Sequence, residues 1–289
     1  MGGVGEWVRR NPSVRPRSPS PRLPVSPSLL ILLALLACSP IPPGTVLIPA
    51  GTFVMGSDAE DVERKAVDYG LVKPWFADER PERRVALPAY YLDRYEVTAA
   101  EYQTFLSATG RPAPPGWTGR RHPPGLARHP VVSVTWADAD AYCRWTSKRL
   151  PTEAEWERAA RGTEGRPYPW GDRFELGRAN VGGARNGTTV VGSYATGRSP
   201  EGAHDLVGNV WEWTADWYGP YPGHPDPESF EKNARPARVL RGTSWSGIGH
   251  FSPEVQMDIL AHNARGSFRL YADPEGRLND VGFRCARNA

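Results

Sequence analysis

The chain has little that would hold it in a membrane by its own span. The apolar run from Leu29 to Cys38 falls short of the roughly 20 residues a transmembrane helix needs. A basic excess is missing too. Five arginines (9, 10, 15, 17 and 22) and one acid, Glu6, lie within residues 1–38, leaving 30 basic against 31 acidic residues in the rest. The body therefore carries no electrostatic footprint for nucleic acid, and no nucleic-acid partner is expected. Cysteine is scarce, with three at 38, 143 and 285, and no repeat of fixed period runs through the chain. Beyond Gly162 the sequence shows no convincing helix, only short apolar stretches among Gly, Asn, Asp and Pro.

What is present is aromatic and turn-rich. In 289 residues, 39% hydrophobic content with 11 Trp and 11 Tyr can build a sizeable core, which excludes a disordered chain. Gly and Pro, 30 each, enclose that core in turns and irregular loops. The Arg-rich start followed by LLILLALLACSP reads as a signal peptide over 1–38. Its end, Leu35-Leu36-Ala37-Cys38, resembles a bacterial lipobox, which makes Cys38 the expected lipidation site. Residues 39–44 are then a tether and 45–289 the folded domain, exported to the bacterial cell envelope and anchored to its membrane by lipid. In that oxidising compartment Cys143 and Cys285 form an even pair. A bridge would tie the middle of the domain to its last strand; two buried free thiols are the alternative.

TVLIPAGTFVMGS reads as two strands around a Pro-Ala-Gly turn, 58–84 as a long loop, and YYLDRYEV (90–97) as a strand. Thr98 and Glu101 form a capping box for a helix through about Ala108, stopped by Gly110. Six prolines in 111–130 predict a surface loop. HPVVSVTW predicts a short strand, Thr135 caps a second helix, and Thr152 with Glu155 begins a third that ends at Gly162. Glu153, Glu155 and Glu157 read as caps and ion pairs rather than acid–base catalysts. The fold class is α+β, with few helices and short antiparallel strands.

Eight stretches occur in a telling order: IPAGTFVMGS, ALPAYYLDRYEVTAAEYQTFL, HPVVSVTWADADAYCRWTSKRLPTEAEWERAARG, YPWGD, GRANVGG, DLVGNVWEWTADWY, RVLRGTSW and GFRCAR. From about residue 45 onward the chain resembles the formylglycine-generating enzyme, or sulfatase-modifying factor, family. The resemblance implies an irregular, loop-rich C-type lectin-like fold. It implies calcium bound by the carboxylates of Asp205 and Glu212 with the carbonyls of Gly208 and Val210, an all-oxygen shell suited to a hard ion. A second site would use Asn180 and the carbonyl of Val181. It also matches Cys143 and Cys285 to a structural disulfide.

The founding activity of that family oxidises a sulfatase cysteine to formylglycine, using two cysteines that bind copper. A soft thiolate pair suits Cu(I). In this chain their positions fall on Gly247 and Ser252, and no cysteine lies between 144 and 284. Glycine has no ligand atom and a serine hydroxyl does not replace a thiolate, so copper and the oxidase activity are not expected. Iron chemistry of the kind found in some relatives would need a histidine cluster. The six histidines, at 122, 129, 204, 224, 250 and 262, include no pair at helical spacing. A Ser–His nucleophile built from Ser244, Ser246 or Ser252 with His250 lacks a G-x-S-x-G elbow and an orienting third group. The reading is a binding or maturation-accessory module. Its ligand cleft would comprise Arg241, Trp245, Gly247, His250 and Ser252, and its partner would be a peptide, a glycan or an envelope protein. The rival readings are a periplasmic oxidoreductase using a different site and a structural envelope component.

Overall fold

The computed structural model describes residues 1–3, 41–71, 74–183, 185–231 and 236–289. Ile41–Ala289 forms one unit and Met1–Pro40 a separate one. The expected leader from residue 4 onward, Cys38 included, lies outside the described residues.

Three small sheets carry the domain. β1 (Thr45–Ile48) pairs with β4 (Tyr90–Asp93), which pairs in turn with β9 (Ala286–Asn288), all antiparallel. β2 (Gly51–Met55) pairs with β3 (Arg83–Leu87). The third sheet runs β7 (Leu270–Ala272), β6 (Arg238–Arg241), β5 (Trp211–Trp217) and β8 (Val281–Gly282), with β5 and β8 parallel. The strands predicted on either side of Pro49-Ala50-Gly51 therefore exist, but each joins a different sheet. The strand expected in HPVVSVTW is reduced to an isolated bridge between Thr98 and Pro130. The segment 58–84 is mostly loop, holding helical turns at Lys65–Asp68 and Ala77–Glu79 and the start of β3.

Helices α1 (Ala99–Thr109), α2 (Trp136–Trp145) and α3 (Glu153–Arg161) begin at capping boxes on Thr98, Thr135 and Thr152, as their sequences predict. Gly110, at φ 73, ends α1 in the left-handed region that glycine adopts without strain. A fourth helix, α4 (Pro253–Asn263), corrects the expectation of no helix after Gly162. Ser252 caps it by accepting from Val255 N–H, and Pro253 opens it at a position where the missing N–H costs nothing. Its apolar period is faint, since only Ile259, Leu260 and His262 are buried, so a periodicity search passes over it.

Tyr102, Phe105, Tyr142, Trp213, Leu240 and Phe283 form one aromatic core, and Cys143 and Cys285 lie inside it. These two cysteines are joined in a disulfide with Cα atoms 5.6 Å apart. The predicted bridge is present. A second core gathers β1, β4 and α3 around Trp156, which is fully buried.

The other side of α3 is ionic and equally buried. Glu157 accepts from Arg241 (2.6 Å), from Arg161 and from the Gly56 amide (2.7 Å). Glu153 takes Arg269 through both oxygens (2.7 and 3.0 Å), and Arg149 clasps Glu155 with two bonds of 2.6 Å. The reading of these glutamates as caps and ion pairs agrees with their geometry. Burial on this scale is tolerated only because each charge is matched and hydrogen-bonded.

Candidate functional site

β6 delivers the chain into the 242–252 loop, and backbone bonds fix that loop from below. Gly208 N–H donates to Gly242 O (2.7 Å), Trp245 N–H to Asn209 O (3.1 Å), and Gly183 N–H to Trp245 O (2.7 Å). Gly242 sits at φ 101, where a Cβ would lie 3.0 Å from the Trp156 ring; glycine is the residue that fits. The loop ends at the Ser252 cap of α4.

The five cleft candidates separate. Arg241 is not in a cleft: it is fully buried, bonded to Glu153, Glu157 and the carbonyls of Gly266 and Ser267. Burial alone would lower its pKa, but the attraction of Glu157 and Glu153 outweighs that and raises it. Gly247, His250 and Ser252 are exposed, and Trp245 is partly buried. The Trp245 Nε1 is buried and has no hydrogen-bond partner among the described residues. A Cβ built on Gly247 would meet nothing within 4 Å, so the position is open space without a ligand atom. Ser252 spends its hydroxyl on the helix cap.

Ser244 and Ser246 do not turn towards a histidine. Their hydroxyls lie 2.8 Å apart and each donates to Asp280 Oδ2 at 2.8 Å. Asp280 is 34 residues from Ser246 and was not legible as its partner. The two hydroxyls and one carboxylate make a fixed polar floor, and among the described residues no histidine bonds either serine.

The two predicted calcium sets, in contrast, come together. Asn209 N–H donates to Asn180 O (2.9 Å), and a Cβ on Gly208 would clash with Asn180 O at 2.6 Å and with Val181 at 2.9 Å. The 205–212 loop thus lies directly on residues 180–181. Asp205 accepts from Gly192 N–H (2.5 Å), and the Glu96 carboxyl lies close enough for the two to interact. Glu212 is taken up elsewhere: Arg284 grips both its oxygens (2.6 and 2.7 Å), and Trp156 Nε1 donates to one of them (3.0 Å).

Glu96, which no sequence motif singled out, is the addition. It is buried, with Oε1 accepting from Asn209 Nδ2 (3.0 Å). Among the described residues its Oε2 finds no donor and neither does Asn180 Oδ1, although both atoms are buried. Burial first, then the neighbouring Asp205 charge, pushes the Glu96 carboxyl well above the usual carboxylate range; burial also raises Asp205. Two carboxylates facing one another need a proton or a cation between them. An all-oxygen set of Glu96, Asp205 and Asn180 suits a hard cation. Among the described residues no group of three or more His, Cys, Asp or Glu side chains is arranged to hold a metal. The histidines are dispersed: His129 bonds Thr188, His224 bonds the Ala77 carbonyl, and His262 stacks on Trp75.

The family model for the sulfatase-modifying factor enzyme 1-like domain matches residues 37–289. The chain belongs to that family. It is 32% identical to the formylglycine-generating enzyme of Bos taurus, over 86% of this chain and 75% of that protein. It is also 32% identical to the inactive C-alpha-formylglycine-generating enzyme 2 of Mus musculus, over 90% and 92% respectively. Among solved structures, PvdO from Pseudomonas aeruginosa superposes with a TM-score of 0.62 at 29% identity, covering 85% of this chain and 94% of that one. The α+β, C-type lectin-like fold of the formylglycine-generating enzyme type is therefore shown. Overall identity is the same to a relative named as the enzyme and to one named as inactive, so residues at the site must decide the activity.

Proposed function

We propose that this member of the sulfatase-modifying factor family is an exported, lipid-anchored binding or maturation-accessory module of the bacterial cell envelope, without cysteine-to-formylglycine oxidase activity. One observation carries the reading. The two positions where the resemblance places copper thiolates hold a glycine facing open space and a serine that caps a helix. The domain's own two cysteines are joined in the buried disulfide and offer no thiolate. The loop would offer the exposed His250 and the open surface at Gly247, beside the partly buried Trp245, to a peptide, a glycan or an envelope protein. Calcium would be held by Glu96, Asp205 and Asn180 with the carbonyls of Val181, Gly208 and Val210, where it would stabilise the loops beneath the cleft. Glu212, engaged by Arg284, is left out of that set.

The test is direct. Purified protein is titrated with Cu(I) and then incubated aerobically with a cysteine-bearing sulfatase peptide. The expected result is no tight Cu(I) binding and no aldehyde in the peptide. Tight binding together with peptide oxidation would overturn the reading.

A further inference from the structure

Where α1 ends, the chain doubles back through residues 110–121 and leaves an open pocket of about 680 Å³, with no contribution from the 238–252 stretch. The lining includes Arg111, Arg120 and Arg121 with Gln103, Ser107 and Thr118, and it contains no carboxylate. Three arginines line this one pocket, and what neutralises them decides whether the pocket is a site.

Arg120 is held by carbonyls. Its Nη2 donates to Gly110 O (2.8 Å) and its Nε to Arg111 O (3.3 Å), at the electronegative end of α1. Arg121 is placed by a tight turn in which Thr118 and Arg121 exchange both backbone hydrogen bonds (3.2 and 3.1 Å) around Gly119, at φ 60. Arg111 reaches the carboxylate of Asp138, but only at 3.5 Å. Asp138 is already bonded to Arg277 (2.9 Å) and to the Thr135 amide that it caps (3.3 Å). Among the described residues, one shared carboxylate against three arginines leaves the pocket under-neutralised. Gln103 spends its Oε1 on His122 N–H (3.0 Å), so the polar group its side chain has left is an N–H donor.

We propose that this pocket binds a small ligand carrying a phosphate or sulfate ester. Planar guanidinium forks match tetrahedral oxyanions with paired N–H···O bonds, and a bound anion neutralises the arginines. The volume falls within the range of about 300–1,000 Å³ typical of small-molecule sites, so the ester's organic part is accommodated as well. The site is independent of the reading of the 238–252 loop and stands or falls without it.

Calorimetric titration of the full chain at low ionic strength tests the site. The probes are inorganic phosphate, inorganic sulfate, phenyl phosphate and phenyl sulfate, with phenol as the neutral control. Saturable binding of at least one oxyanion is expected, with none of phenol, and the preferred probe identifies which ester is recognised. Arg121→Glu should weaken that binding by about tenfold or more, the loss of one charge-assisted bidentate contact. Arg121→Ala, the milder change at an exposed position, should weaken it less. Arg144→Gln, on the exposed side of α2, should leave it unchanged. Absence of saturable binding, or equal binding by wild type and both Arg121 variants, would refute the site. Binding to phosphatidylglycerol vesicles without binding to any small ester would also refute it, by showing a membrane-facing patch instead.

Discussion

Glu157 shows how much a single buried carboxylate can carry. Burial pushes its carboxyl upward, but Arg241, Arg161 and the Gly56 amide together hold it below its ordinary 4.5. As pH falls below that value the unfolded chain takes up this proton before the folded one does. The stabilisation from Glu157 is thus complete above pH 4.5 and declines by about 1.4 kcal/mol per pH unit until the folded pKa is passed. Glu157→Gln should destabilise the protein by about 3–5 kcal/mol near neutrality, because Arg241 and Arg161 keep their charges in the core. It should also flatten the acid limb of the stability profile. Denaturant unfolding of both proteins between neutral and acid pH measures the two effects, and parallel acid limbs would rule out the pairing as their source. Arg241 explains why its own role was misread from sequence. Its motif is visible, but Glu153 and Glu157 lie 88 and 84 residues away and nothing local announces them. Glu96 escaped notice for a similar reason: Asn209 is 113 residues from it in sequence, and Asp205 belongs to the same distant loop.

The helices divide by how local their signals are. Two capping boxes and the Thr135 cap were legible because donor and acceptor lie three residues apart, and the structure closes a capping box at all three helix starts. α4 carries as good a start, Ser252-Pro253-Glu254, but has no clear apolar stripe to follow it. Its place is set by tertiary bonds: Asp258 receives Lys65 (2.9 Å) and Tyr69 (2.7 Å) from the 58–80 segment, and Arg265, just past its end, pairs with Glu79. Ser252→Ala should therefore loosen α4 by about 0.5–2 kcal/mol, with Ser252→Asp retaining most of the cap. Hydrogen exchange at the first-turn amides of α4 reads this out, and unchanged exchange in the alanine variant would show that the tertiary bonds alone hold the helix start.

Across the domain, the disulfide joins α2 to the segment leading into β9 over 142 residues of sequence. Both ends are further fixed: Asp93 accepts from Cys285 N–H (3.0 Å) and pairs with Lys148 beyond α2. Reduction, or replacement of both cysteines by alanine, should lower stability by about 2–5 kcal/mol, measured as a fall in the thermal midpoint with and without reductant. An unchanged midpoint would mean that the aromatic core holds the two segments together unaided. The overall architecture was readable because eight motifs in order carry it. The three-sheet pairing was not, since strands this short, all but β5 of five residues or fewer, owe their partners to packing rather than to their own pattern.

The first sheet places β4 between β1 and β9, so residues 45–48 and 286–288 complete one structure. As the chain is made from its N-terminal side, the leading strand has a neighbour once β4 emerges, but the sheet stays open on its far side until β9 follows. Cys143 likewise waits for Cys285. The domain must spend most of its synthesis with an unsatisfied strand edge and an unpaired thiol, the stage at which strand-edge association and wrong thiol pairing are most open to it.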